Sequence, residues 1–264
     1  MATYLDRIVA VHREAARADT RPLDGLVDEA KSQSPVRGFA AALRSVDGLG
    51  VVAEIKRRSP SKGHLDARLD AGGLACAYEQ GGATCVSVLT EREFFGGSPG
   101  DLRDARRASA LPVLRKDFTV AAADVCDARI MGADAVLLIV AALDDAELRD
   151  FHALAGELEL DALVEVHDEA ELDRALAAGA GLVGVNQRDL VTFDVDTSRA
   201  VRVGRALSER GDDVVRVAES GIRGPDDAAA LARAGFDAIL VGESLVTSGD
   251  PAGAVRALRA GGAN

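Results

Sequence analysis

One short pattern recurs along this chain and constrains its fold more than any other feature of the sequence. In each copy, an Ala- and Leu-rich stretch ends at a glycine, and an aliphatic run follows. The copies begin at Gly82, Gly132, Gly179 and Gly235, about fifty residues apart. A glycine commonly ends a helix, and a short continuous aliphatic run is typical of a strand buried on both faces. The pattern therefore predicts four successive helix–turn–strand units.

Four more aliphatic runs lie between these copies. They are residues 51–53, 112–114, 162–164 and 214–217. Together the runs predict eight strands roughly 27 residues apart, with helical periodicity in stretches between them such as 73–80 and 168–178. Strands that alternate with helices form a parallel sheet, and eight such units close most naturally into a barrel. We therefore predict an α/β fold of the (β/α)8 TIM-barrel type, with a doubly wound open sheet as the alternative.

The first 47 residues stand outside this repeat. They have the pattern of helical pieces interrupted near Arg21-Pro22 and Ser34-Pro35. Alone, such pieces bury little apolar surface, so we expect an N-terminal helical extension packed on the barrel. The chain of 264 residues suits one barrel, and no linker or low-complexity tract divides it. We predict a single domain over residues 1–264, with the extension at 1–47 and the barrel at 48–264.

Charge and composition exclude several classes of function. The formal net charge of −12 argues against non-specific nucleic-acid binding, although a local basic cluster can still hold a small anion. The longest apolar run, residues 135–143, is too short to span a bilayer, and the N-terminus lacks the apolar core of a signal peptide. The three cysteines form no CxxC pair, which favours a reducing compartment. We predict a cytoplasmic protein with no membrane, nucleic-acid or obligatory protein partner.

Polar residues close most of the predicted strands, and in a barrel of this type the active site lies at the carboxyl ends of the strands. The candidates are Glu54, Lys56, Lys116, Glu165, Asn186 and Glu219. Strand side chains alternate between two faces, so Glu54 and Lys56 share a face and Ile55 takes the other. Lysines and glutamates that converge in one barrel mouth predict proton-transfer chemistry, with pKa values shifted by mutual contact.

Glycines follow the last two predicted strands, in Ser220-Gly221 and Gly242-Glu243. Glycine lets backbone N–H groups approach an anion closely, and the loops after the seventh and eighth strands of such barrels often bind phosphate. Together with a mouth that contains lysine, this predicts a phosphorylated small molecule as the ligand. The four histidines show no spacing of paired metal ligands, and neither a Walker loop nor a GxGxxG fingerprint is present.

Seven short motifs follow one another at the strand ends and in the loop after the second strand. They are Glu54-Ile55-Lys56 with Ser59-Pro60-Ser61-Lys62-Gly63, Leu89-Thr90-Glu91 with Phe94-Phe95-Gly96-Gly97-Ser98, Leu114-Arg115-Lys116-Asp117-Phe118, Glu165-Val166-His167, Val185-Asn186-Gln187-Arg188-Asp189-Leu190, Glu219-Ser220-Gly221-Ile222 and Val241-Gly242-Glu243-Ser244-Leu245. In this order they resemble the motifs of the indole-3-glycerol phosphate synthase family. Each motif alone is weak evidence, but seven in register over essentially the whole chain are specific.

The resemblance implies a decarboxylating carbon–carbon lyase of tryptophan biosynthesis. Its substrate would be 1-(2-carboxyphenylamino)-1-deoxyribulose 5-phosphate, and its product indole-3-glycerol phosphate, with loss of CO2 and water. No organic cofactor and no metal are expected.

The resemblance also implies roles for the strand-end residues. Lys116 would protonate the ribulose carbonyl, and Lys56 would hold the anthranilate carboxylate until CO2 leaves. Glu165 would be the base for dehydration, and Glu54 would orient the lysines. An ammonium is a suitable acid when its pKa falls toward neutrality, and we expect partial burial and the second lysine to lower the pKa of Lys116.

Further residues would bind the substrate. Asn186 and Glu219 would bind its hydroxyls, and Arg188 would assist through the local charge network. Three side chains would form the apolar wall for the aromatic ring: Phe95, Phe118 and Leu138. Five residues would hold the phosphate: Ser59, Ser220, Gly221, Gly242 and Glu243. We also expect the loop at residues 57–64 to close over the substrate as a mobile lid.

Two alternatives stay open. A related phosphate-binding barrel such as phosphoribosylanthranilate isomerase would need a Cys or Asp base at the end of the first strand, where this chain has Glu54 and Lys56. A non-catalytic phosphate-binding barrel would be marked by substitution of Lys116 or Glu165, and both residues are present.

Overall fold

The computed structural model describes residues 3–59, 63–66, 68–189, 194–210 and 213–262. Its strands, in chain order, are β1 Gly50–Ile55, β2 Arg58–Ser59, β3 Gly63–His64, β4 Cys85–Leu89, β5 Val113–Lys116, β6 Ala135–Ile139, β7 Asp161–Val166, β8 Leu182–Asn186, β9 Val215–Glu219 and β10 Ala238–Val241. β1 and β4 to β10 form a closed barrel in which every neighbouring pair is parallel. The predicted (β/α)8 barrel is confirmed, and the open-sheet alternative is wrong because β1 pairs with both β4 and β10.

Helices flank the barrel and precede it. They are α1 Tyr4–Ala18, α2 Leu23–Lys31, α3 Phe39–Ser45, α4 Ala71–Gly81, α5 Pro99–Ala108, α6 Ala122–Met131, α7 Asp145–Glu157, α8 Glu169–Ala177, α9 Thr197–Arg210, α10 Pro225–Arg233, α11 Glu243–Val246 and α12 Pro251–Gly261. The breaks predicted near Pro22 and Pro35 are confirmed, because α2 begins directly after Pro22 and α3 begins beyond Pro35. In the described parts of the chain, no helix is long and apolar enough to cross a membrane.

The recurring glycines end helices in the way the sequence predicts. Gly82 follows α4 with φ of 84°, and Gly132 follows α6 with φ of 94°. Glycine adopts this left-handed conformation more readily than other residues. The chain reverses here, and the N–H of the next residue donates to a carbonyl oxygen of the helix. A strand then begins at Cys85 and at Ala135. The recurring glycine therefore marks the turn that precedes each of these buried strands.

Side chains of the barrel strands alternate between two apolar clusters. Val51, Ala53 and Ile55 point outward into the core between barrel and helices. Val52 and its counterparts on the other strands point inward, where Phe39 and Leu43 of α3 join them. Since these two α3 residues are almost fully buried, each stabilises the fold by about 1.5–3 kcal/mol.

The N-terminal helices contact both ends of the barrel. The backbone N–H of Ala40 on α3 donates to the carboxylate of Asp161, 2.8 Å away, at the amino end of β7. At the carboxyl ends of the strands, Tyr4, Leu5 and Ile8 of α1 line a cavity. The helices before β1 thus close one end of the barrel and contribute to the wall of the other.

Candidate active site

A cavity of about 720 Å³ opens at the carboxyl ends of the barrel strands. All six strand-end candidates line it: Glu54, Lys56, Lys116, Glu165, Asn186 and Glu219. The predicted alternation at the end of β1 is confirmed, because Glu54 and Lys56 face the cavity and Ile55 packs in the outer core. Closure of the barrel therefore brings together groups that are far apart in sequence.

Lys116 lies between two buried carboxylates. Its Nζ is 2.7 Å from Oε2 of Glu165 and 2.7 Å from Oε2 of Glu219. Burial by itself would lower the pKa of Lys116, but the charges of Glu165, Glu219 and Glu54 outweigh burial and raise it. The expected lowering is therefore wrong for the ligand-free site: Lys116 is held as a cation.

The two carboxylates beside Lys116 differ in their surroundings. Burial would raise the pKa of Glu165, but Lys116, His167 and a hydrogen bond from Asn186 (3.0 Å) lower it. Burial and the charge of Glu165 raise the pKa of Glu219 to about 7, against the attraction of Lys116. Within the described part of the chain, Glu219 Oε1 has no hydrogen-bond partner. Glu165 is therefore the ionised member of the pair, and Glu219 is the member that holds a proton more readily.

Lys56 forms an ion pair with Glu54 at the end of β1. The Glu54 side chain is 5% exposed, and its charge also contributes to the raised pKa of Lys116. Glu54 thus binds one lysine and acts electrostatically on the other.

Two glycines make room for these carboxylates, a role that was not predicted for either of them. A Cβ added to Gly184 on β8 would overlap Oε1 of Glu219 and lie 3.1 Å from its Cδ. A Cβ added to Gly242, directly after β10, would overlap Oε1 of Glu54. A glycine inside a strand signals such a close approach, although it does not say which group approaches.

The residues predicted to hold phosphate all line the cavity. They are Ser59, Ser220, Gly221, Gly242 and Glu243. Ser220 and Gly221 have φ of 68° and 75°, so two consecutive residues are left-handed at this turn. Gln187 was not a candidate, but its Nε2 donates to the carbonyl oxygen of Ser220 over 2.8 Å and holds the turn.

Phe95 and Phe118 line the cavity as predicted, with ring centroids 6.2 Å apart. Leu138 does not: it is fully buried in the outer core, and its neighbours Leu137 and Ile139 line the cavity instead. The assignment of Leu138 to the wall is wrong because all of β6 is apolar, so the sequence carries no polar residue to mark which side chains face inward.

Two buried acids support this wall and were also missed. The carboxylate of Glu91 accepts backbone N–H groups of Phe94 and Phe95 at 2.7 and 2.9 Å, which fixes the loop after β4. Asp117 accepts hydrogen bonds from Thr90 and from Arg115, the latter over 3.1 Å. These bonds anchor the chain before and at Phe95 and directly after Lys116.

Arg188 lines the cavity, and its backbone N–H donates to the Asn186 side chain over 3.0 Å. Four residues of the sequence motifs, Pro60, Ser61, Lys62 and Leu190, lie outside the described residues, and so does the centre of the predicted lid. Among the residues that the structure describes, no group of three or more His, Cys, Asp or Glu side chains could hold a metal ion.

Comparison with known proteins identifies a family for this arrangement. A family model described as indole-3-glycerol phosphate synthase matches residues 5–258. A relative of that name from Nocardioides sp. strain JS614 is 51% identical over 260 residues, which cover 96% of this chain and 97% of the relative. Another, from Mycolicibacterium smegmatis, is 50% identical over 256 residues, covering 96% and 93%.

A solved structure of thiamine phosphate pyrophosphorylase from Pyrococcus furiosus is also similar, with a TM-score of 0.61 over 81% of this chain and 95% of that chain. At 18% identity this likeness shows the fold alone. The family model, by contrast, spans nearly the whole chain, and both relatives are about half identical to it. The chain therefore belongs to the indole-3-glycerol phosphate synthase family of decarboxylating lyases.

Proposed function

We propose that the chain converts 1-(2-carboxyphenylamino)-1-deoxyribulose 5-phosphate to indole-3-glycerol phosphate, CO2 and water, with Lys116 as the acid for ring closure. The observation that carries this assignment is the position of Lys116, at 2.7 Å from both Glu165 and Glu219 on the cavity wall. A buried ammonium between two carboxylates can give a proton to the substrate, and it is protonated again from solvent before the next turnover.

Ring closure begins when the aromatic carbon attacks the ribulose carbonyl. Lys116 protonates the carbonyl oxygen, and the resulting hydroxyl stays close to Glu219 and Asn186. In the ligand-free site the two carboxylates raise the pKa of Lys116. When a carbonyl oxygen replaces one of them as the partner of Nζ, the ammonium loses a neighbouring negative charge. The pKa of Lys116 then falls, and Lys116 becomes a stronger acid.

Loss of CO2 restores the aromatic ring. Lys56 binds the anthranilate carboxylate through its ammonium group, which pairs with Glu54 in the ligand-free site. When CO2 leaves, Lys56 returns to Glu54.

Dehydration completes the indole. Glu165 removes the proton whose departure accompanies loss of the hydroxyl and passes that proton to the departing oxygen, so that both leave as water. The hydrogen bond from Asn186 and the contact with Lys116 favour the carboxylate form of Glu165, the form that accepts a proton. Arg188 assists through the local charge network, and its backbone N–H holds the Asn186 side chain.

The two ends of the substrate differ in chemistry, and so do the two parts of the cavity. Phe95, Phe118 and Leu137 form an apolar wall for the aromatic ring and hold it near the carbonyl that it attacks. The turn at Ser220-Gly221, with Ser59, Gly242 and Glu243, binds the phosphate. The wall and the turn fix the substrate at both ends, which leaves the strand-end lysines and glutamates for the chemistry.

A fluorescence assay for indole-3-glycerol phosphate, with EDTA present, tests the proposal. The parent protein is expected to form product, Glu165→Gln to lose at least a hundredfold in turnover, and Lys31→Ala, on the exposed face of α2, to match the parent. Absence of product from folded parent protein would contradict the proposal. The isomerase and the non-catalytic barrel would then be tested by turnover of phosphoribosylanthranilate and by phosphate binding.

A further inference from the structure

His167 follows β7 and lies between two acids. Its Nδ1 is 3.0 Å from Oε2 of Glu171, and its backbone N–H donates to the same oxygen over 2.7 Å. Its Nε2 faces the active-site base, 3.8 Å from Oε1 of Glu165. This nitrogen is buried, and among the described residues it has no hydrogen-bond partner. The imidazole thus connects an acid outside the cavity wall with the carboxylate inside it.

Glu171 holds the ring in this orientation. It lies in the first turn of α8, where the side chain of Asp168 accepts its backbone N–H over 2.8 Å. A carboxylate on Nδ1 fixes the proton on that nitrogen and leaves Nε2 directed at Glu165. The second proton that His167 takes up is therefore placed between the ring and the base.

We infer that His167, held by Glu171, is a positioning residue whose imidazolium faces Glu165 and keeps that carboxylate ionised and directed at the cavity. This inference rests on the proposed role of Glu165 as the base. His167 does not line the cavity, so it acts through Glu165 and not on the substrate.

The charges around His167 agree with this role. It is faced by Glu165 from β7, by Glu171 from α8 and by Arg199 from α9. Burial and Arg199 lower the pKa of His167, but Glu171 and Glu165 outweigh them and raise it. The ring is therefore protonated at every pH at which Glu165 takes up a proton, so its cation is present where it affects the base.

Replacement of His167 by Asn tests the inference through the pH dependence of turnover. Asn keeps a donor that can reach Glu171 but places no cation near Glu165. We expect the acid limb of kcat to move to higher pH by about one unit, because an opposite charge within about 4–6 Å lowers a carboxyl pKa by about 1–3 units. KM is expected to stay within about threefold, since the substrate contacts are unchanged. Glu171→Gln is expected to shift the limb the same way by a smaller amount.

The matched control is His152→Asn. His152 lies on α7 beside Gly179, at the opposite end of the barrel from the cavity, and its replacement leaves the profile unchanged. A fall in kcat by the same factor at all pH values in His167→Asn, with no movement of the acid limb, would overturn the inference. So would superimposable profiles of parent and variant.

A carboxyl titration by 13C NMR separates this inference from the proposed function, because it needs no turnover. Glutamate carboxyls are labelled, and the Glu165 signal is identified by its loss in Glu165→Gln. A higher titration midpoint for Glu165 in His167→Asn supports the inference even if the parent forms no product. Equal midpoints in the parent and in a folded His167→Asn protein overturn it even if the parent is fully active.

Discussion

Gly184 on β8 lies against the carboxylate of Glu219 so closely that a Cβ at position 184 would occupy the space of Oε1. Since Glu219 is one of the two partners of Lys116, the absence of a side chain on β8 determines where an acid of β9 can lie. A strand position that carries no functional group therefore affects the proton donor Lys116 through Glu219.

Replacement of Gly184 by Ala is expected to push Glu219 from Lys116. Overpacking of this kind typically costs about 1–3 kcal/mol of stability, and we expect kcat to fall at least tenfold. In a double-mutant cycle with Glu219→Ala, Gly184→Ala should have little further effect, because the displaced group is already gone. Full additivity of the two losses would contradict this account. Gly156→Ala, at an exposed position with open space around it, is the control.

Glu219 is expected to make the fold less stable as the pH rises. Its folded pKa is raised to about 7, whereas an unfolded glutamate titrates at about 4.3. Between these values the folded protein holds a proton that the unfolded chain has lost, so the free energy of unfolding decreases with rising pH. Glu219→Gln should remove a pH-dependent loss of about 3–4 kcal/mol.

Urea unfolding of parent and Glu219→Gln proteins, at pH values below and above this window, measures the effect. The parent should lose more stability than the variant on going to the higher pH. Equal losses in the two proteins would show that Glu219 titrates normally in the fold.

Gly221 is expected to be required for phosphate binding. Its φ of 75° is strained for other residues, and an added Cβ would overlap Val195. Gly221→Ala should therefore raise KM about tenfold or more, with a smaller change in kcat, because the turn and not the proton donor is disturbed. Gly224→Ala, in the same loop with extended backbone and open space, should leave both constants unchanged. Steady-state kinetics of the two variants measures both constants, and an unchanged KM in Gly221→Ala would contradict the prediction.

Leu137 and Leu138 are neighbours with opposite expected effects. Leu138→Ala should lower the free energy of unfolding by about 2–5 kcal/mol and leave KM unchanged, because this side chain packs in the outer core. Leu137→Ala should raise KM, because its side chain lines the cavity. Paired measurements of unfolding and kinetics test the assignment, which a raised KM in Leu138→Ala would refute.

The sequence predicts much of this arrangement for identifiable physical reasons. Each glycine that ends a helix marks the start of the strand that follows, and parallel closure brings the polar strand ends to one rim. Alternation at Glu54, Ile55 and Lys56 could be read because charged residues mark one face of β1. These signals depend only on residues close together in the sequence, so they can be recognised without knowledge of the packing.

Other features depend on contacts that local patterns do not record. No polar residue in β6 shows which of its side chains face inward, so the sequence does not distinguish Leu137, which lines the cavity, from Leu138, which does not. The raised pKa of Lys116 depends on two glutamates from different strands at 2.7 Å, a distance that only the closed barrel sets. The contribution of α1 to the cavity likewise appears only when the chain is folded.

The role of Lys116 is tested most directly by single-turnover kinetics of Lys116→Ala with saturating substrate. We predict that the variant binds the substrate but forms indole-3-glycerol phosphate about 10²–10⁴ times more slowly than the parent, since the proposed donor of the proton for ring closure is missing. Product formation by the folded variant within tenfold of the parent rate would contradict the central claim that Lys116 is the acid.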